Sequence, residues 1–124
     1  MDRAGLLDFV FQEVSKRFPI AKAQFIAGMQ RFEICPIEVG GKVVGAVMKC
    51  GPEIHIEVSD AGRRRWASKG FIRGQIAPLI AKYGFAETVV PEGNEAGLNF
   101  CKRLGFEESS NSGGLIKLIC KEIP

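Results

Sequence analysis

Three groups of residues in this sequence have types and spacings that could do chemistry. The first is basic. Arg63, Arg64 and Arg65, followed by Lys69, Gly70 and Arg73, run straight into a helical pattern. A turn that brings cations to the start of a helix, where the first N–H groups have no acceptors, is a ready anion site. Phosphate or another anion is its natural ligand, and a solvated turn or a nucleic-acid contact stays open beside it. The second group is His55, Glu57 and then Ser59, which alternate with Ile54, Ile56 and Val58 and so share one face of a strand. His55 and Glu57 stand about 7 Å apart by the strand rise. The third group is four cysteines, Cys35, Cys50, Cys101 and Cys120, without the C-x-x-C spacing of a metal or redox pair. They read as reduced thiols of a cytosolic protein.

These residues need elements to hold them. Leu6, Leu7, Val10, Phe11 and Val14 recur at helical spacing and predict an amphipathic helix over 3–17, with Glu13 among its polar residues. Phe18-Pro19 ends it, because the residue before proline is pushed out of the helical region. A weaker helix is expected over 20–30. The runs 31–39 and 42–50 flank Gly40-Gly41, a strong hairpin signal. A two-residue turn there would put Cys35 opposite Ala46. The run Val43–Met48 is apolar at nearly every position, as in a strand covered on both faces. Strand 54–58 follows, then the basic turn and a helix over 71–83 with Phe71, Ile72, Ile76, Leu79 and Ile80 inward. Pro78 is expected to shorten or kink that helix, and Tyr83-Gly84 to stop it. A strand at 86–90, a helix at 95–104 and a closing hairpin across Asn111–Gly114 complete the chain, with strand 115–120 exposed enough to pair with a second copy.

The bulk numbers bound the class. The chain has 124 residues, 46% hydrophobic and 25% charged, with a net charge of +3. That is one α/β domain, 1–124, with too little positive charge to argue by itself for nucleic acid. No apolar run reaches the roughly 18 residues of a membrane span, and the start lacks the plan of a signal peptide. A cytoplasmic protein is expected.

The element order, a mixed α+β sheet, resembles the GNAT superfamily of N-acetyltransferases over roughly residues 31–120. Asn94, Gly97, Cys101, Gly105 and Phe106 fall at the offsets of that family's motif after its fifth strand, with Cys101 where the family has tyrosine. Arg65-Trp66-Ala67-Ser68-Lys69-Gly70 matches the family's pyrophosphate loop, with Ser68 where the first glycine usually stands. The resemblance implies acetyl-CoA as co-substrate and an amine, on a small molecule or a protein, as acceptor. It implies a cofactor surface of Val58, Arg65, Trp66, Ala67, Ser68, Lys69, Gly70 and Asn94. It makes Glu57 the candidate base, His55 a second candidate and Cys101 the residue in the position of the acid. The acyl chain is expected between strands 54–58 and 86–90. The family usually opens with a strand, for which Met1–Ala4 is too short. Such trimmed versions resemble the compact GNAT-like proteins of tailed phages, some of which serve as virion or assembly components. A scaffold without catalysis, in host cytoplasm or virion, is therefore the alternative reading.

Overall fold

The structure, a computed structural model, describes residues 1–59 and 69–123, with the main chain alone at Lys69. Arg63, Arg64, Arg65, Trp66, Ala67 and Ser68 lie outside the described residues. The chain divides into two compact units, residues 1–50 with 55–67 and residues 51–54 with 68–124.

The first unit opens on α1 (Arg3–Ser15) and α2 (Lys22–Gly28), followed by β1 (Glu33–Val39), β2 (Lys42–Cys50) and most of β3 (Glu53–Val58). Asp2 caps α1 by accepting from the Gly5 N–H at 2.9 Å. Leu7 and Val10 of α1, Phe25 of α2 and Ala46 and Met48 of β2 form the buried cluster. Each large side chain withdrawn there contributes about 1.5–3 kcal/mol. Arg3 ties the two helices together, donating to the Phe32 and Met29 carbonyls at 2.8 Å each. Those carbonyls follow the C-terminal end of α2, where a cation is favoured. Glu13 departs from the polar face expected for it. It is buried, and Lys16 one turn on holds its carboxylate at 3.3 Å.

Gly40 and Gly41 both take positive φ, 60° and 77°, and make the two-residue turn. The register beyond it differs from the simple count. A bulge between Ile37 and Glu38 shifts β1 by one residue, so Cys35 faces Val47 rather than Ala46. All four cysteines are free thiols. Val44 to Met48 are buried without a break, as a strand covered on both faces requires.

The second unit holds the first residues of β3, then α3 (Lys69–Tyr83), β4 (Ala86–Pro91), α4 (Glu95–Arg103), β5 (Glu107–Ser112) and β6 (Leu115–Cys120). The six strands form one mixed sheet in the order β1-β2-β3-β4-β6-β5. Glu53 of β3 pairs in parallel with Glu87 of β4, while β6 runs antiparallel to both β4 and β5. Strand 115–120 is therefore interior to its hairpin sheet, not an edge, and β5 takes the edge. Ile72, Ile76 and Leu79 of α3 are buried, as are Ile116, Leu118 and Cys120 of β6. Phe71 and Ile80 flank that stripe half-buried.

Pro78 does not shorten α3, which continues to Tyr83. The residue one turn back, whose carbonyl meets the proline ring, is the exposed Gly74. A carbonyl there tilts toward water without steric cost. The helix then stops at Gly84, whose φ is 86° and whose N–H reaches the Ile80 carbonyl at 2.8 Å. Among the described residues no helix is long and apolar enough to cross a membrane, and no cluster of His, Cys, Asp or Glu is arranged to hold a metal ion.

Candidate functional site

Along β3, Ile54 and Val58 are buried, and His55, Ile56 and Glu57, all in the first unit, are half-buried. The His55 ring lies against Phe32, centroids 5.8 Å apart and tilted by 57°. Glu57 is not an isolated carboxylate. The Arg17 Nη2 group, 40 residues away in sequence, donates to both its oxygens, at 2.6 and 2.7 Å. Charge-assisted bonds of that length hold a carboxylate in one orientation. The backbone beneath is just as constrained. Gly45 of β2 sits where a Cβ would overlap the Glu57 carbonyl and approach the Val58 α-carbon to 3.1 Å. The Ser59 N–H continues the contact, donating to the Val44 carbonyl at 2.8 Å. Glycine is required at position 45 because the two strands come this close.

In the second unit, α3 begins at Lys69, so the N–H groups of its first turn have no acceptor within the helix. Gly70 is exposed, and among the described residues nothing lies within 4 Å of a Cβ built on it. The position lies at the positive end of the helix. Arg73, one turn on, is also exposed.

Asn94 caps α4, its side-chain oxygen accepting from the Gly97 N–H at 3.1 Å. A Cβ on residue 97 would come within 2.7 Å of the Asn94 amide nitrogen, so the small residue three positions after Asn94 makes room for its cap. At the other end Gly105, with φ 100°, and Phe106 close a Schellman motif. The Phe106 N–H donates to the Cys101 carbonyl at 3.0 Å and the Gly105 N–H to the Lys102 carbonyl at 3.1 Å. Phe106 is buried, as C″ residues of this motif usually are. Cys101 stands on the last full turn of α4, half-buried, and burial pushes its thiol up from 9.0 to about 11. The thiol is therefore protonated near neutral pH.

Each candidate from the sequence thus has a definite place, except those at 60–68 and the side chain of Lys69, which lie outside the described residues. His55, Glu57 and Val58 share β3; Gly70 opens α3; Asn94 and Cys101 mark the two ends of α4. Arg17 was not among the candidates. It is one of several cations near the end of α1, and a partner 40 residues on leaves no local signal. A shallow cavity of about 450 Å³ in the second unit, lined by Glu107, Glu122 and Lys121 among others, contains none of the candidates.

No family model and no curated protein matches the sequence. Solved structures do match in fold. The ribosomal-protein-S18-alanine N-acetyltransferase from Escherichia coli superposes with a TM-score of 0.69 at 17% identity, covering 97% of this chain and 89% of that one. An IAA acetyltransferase from Bacillus cereus gives 0.68 at 14% identity, covering 98% and 93%. The PaiA N-acetyltransferase from Thermoplasma acidophilum, solved in complex with coenzyme A, gives 0.63 at 10% identity, covering 93% and 79%. At these identities the likeness is one of fold, and the fold is the GNAT acetyltransferase fold that the sequence pattern resembles.

Proposed function

We propose that this chain is an acetyl-CoA-dependent N-acetyltransferase that moves an acetyl group to an amine acceptor in the cytoplasm. The observation that carries the reading is the fold shared over nearly the whole chain with N-acetyltransferases, one of them in complex with coenzyme A. The residues present suit that co-substrate. The first turn of α3 carries N–H groups that the helix itself cannot satisfy, and among the described residues nothing crowds Gly70. By their match to the family's pyrophosphate motif, Arg65, Trp66, Ala67, Ser68 and Lys69 are assigned to the cofactor's phosphates, with Arg73 as a further cation, and Val58 lies at the end of β3. Asn94 caps α4 and so fixes the turn that leads into that helix.

Bound acetyl-CoA supplies an acetyl group already activated as a thioester. The chain's own task is proton management. An amine attacks only once its nitrogen has lost its extra proton, and Glu57, with its carboxylate held by Arg17, takes that proton. His55 lies on the same strand face as a second acceptor. Cys101 occupies the position of the family's tyrosine, and its protonated thiol is the proton source on α4. The acceptor is a small molecule or a protein; the Escherichia coli enzyme of the same fold acts on a ribosomal protein.

A second reading is a GNAT-fold scaffold without catalysis that works through protein contacts, as in a virion or assembly protein or a homodimer. It is favoured by Cys101, which holds its proton more tightly than an ordinary thiol. One assay separates the two: coenzyme A thiol release from acetyl-CoA in the presence of an amine panel, with mass spectrometry of the amines. Amine-dependent release with a matching acetylated product supports the enzyme. Acetyl-CoA that stays intact with every amine and protein substrate leaves the scaffold.

A further inference from the structure

The Arg17–Glu57 pair is lopsided. A single nitrogen, Nη2, reaches both carboxylate oxygens, so the guanidinium meets Glu57 with one corner and not with its fork. A guanidinium has five donors, and a carboxylate about four lone-pair sites. Among the described residues Nη1 and Nε of Arg17 have no acceptor, which leaves both residues with unused capacity side by side. The Arg17 side chain is 41% exposed and that of Glu57 18%, so the cation reaches toward water and the carboxylate is recessed. The neighbouring charges of α1 and α2 are engaged elsewhere, Lys16 with Glu13 and Lys22 with Asp8. An ion pair with one member this exposed contributes little to stability.

We infer that this pair binds a short zwitterion, with the ligand's ammonium on Glu57 and its carboxylate on the open edge of Arg17. An amino acid with its two charged groups a few bonds apart matches both halves. A purely cationic ligand, such as a polyamine, meets the charge of Arg17 next to the carboxylate it seeks. A purely anionic one meets Glu57. The planar edge of arginine suits a carboxylate in a way that a lysine ammonium does not. The inference deepens the N-acetyltransferase reading, on which it rests only for the fate of the bound amine: the amino group set against Glu57 is the one to be acetylated.

The test uses three probes of matched length, β-alanine, n-propylamine and propionate, titrated into the full chain with no acetyl-CoA present. The readout is the side-chain Nε–H resonance of Arg17 in ¹⁵N-labelled protein. β-Alanine is expected to shift that resonance saturably and to bind roughly tenfold or more tightly than either matched probe, as loss of one charge-assisted bond implies. Followed by backbone amide shifts, Arg17→Ala and Glu57→Gln each weaken β-alanine by a similar factor, and Arg17→Lys recovers part of the loss. Equal binding of n-propylamine or propionate overturns the inference. So does unchanged affinity in Arg17→Ala, or an Arg17 resonance that stays still at the solubility limit of β-alanine. The enzyme reading fails by a different result, the absence of acetyl-CoA binding, so the two failures are told apart.

Discussion

Gly45 of β2 lies so close to Glu57 of β3 that a methyl group on residue 45 would overlap the Glu57 main-chain carbonyl. The obstacle is backbone, which cannot swing aside as a side chain does. Gly45→Ala is therefore expected to cost about 1–3 kcal/mol, the usual cost of overpacking. Urea unfolding measures it. Because the displaced residue carries the candidate base, acetyl transfer should fall further than the loss of folded protein accounts for.

Asn94 and Gly97 form a second coupled pair. Asn94→Ala alone should cost about 1 kcal/mol, the worth of an N-cap. With the cap gone, Gly97→Ala should stabilise by up to about 1 kcal/mol, the helix preference for alanine over glycine. In the intact cap the same substitution crowds the Asn94 side chain, and that gain is cancelled. A double-mutant cycle on thermal or urea unfolding should show this coupling, and simple additivity would contradict it.

How far the sequence alone reaches is visible in these same residues. Asn94, Gly97, Gly105 and Phe106 lie close together in the chain and their spacing picks them out, although the cap that Asn94 makes on α4 is visible only in the structure. The helix and strand order and the Gly40-Gly41 turn are legible from local pattern as well. What escaped depends on distant or cooperative detail. The bulge between Ile37 and Glu38 has no signature in the pattern of β1, yet it moves Cys35 from Ala46 to Val47. Glu13 looks like a surface residue until Lys16 is seen folded over it. Pro78 reads as a breaker unless the exposed Gly74 one turn earlier is taken with it. Strand 115–120 looks like an edge because strands are met in chain order, whereas β5 folds back outside it. Arg17 was legible as a charge but not as the partner of Glu57.

Cys101 carries a pH signature. Its thiol titrates near 9.0 when free and near 11 when buried. Above the unfolded value the unfolded chain gives up a proton that the folded chain still holds, so stability is complete below pH 9 and declines as pH rises toward 11. Burial also raises the Cys120 thiol, in the same direction. Cys101→Ala should flatten the decline without abolishing it, as measured by unfolding midpoints across that alkaline range. A profile as steep as that of the parent protein would show that Cys101 is not the source.

Glu57→Gln keeps the shape of the side chain and an oxygen for Arg17, but removes the proton acceptor. Turnover with a cognate amine should drop by about 10²–10⁴-fold, the usual worth of a general base. Affinity for acetyl-CoA should stay as it was. A variant with near-normal turnover would move the role of base to His55 or to water.

The most direct test of the account is calorimetric titration of the protein with acetyl-CoA, repeated on the Arg65→Ala, Lys69→Ala double variant. Saturable binding in the parent that is lost or much weakened in the variant is the predicted result, and it would put the cofactor's phosphates at the start of α3. A parent protein that gives no binding heat with acetyl-CoA, and does not compete for it at equilibrium, would contradict the enzyme reading and leave the fold as a scaffold.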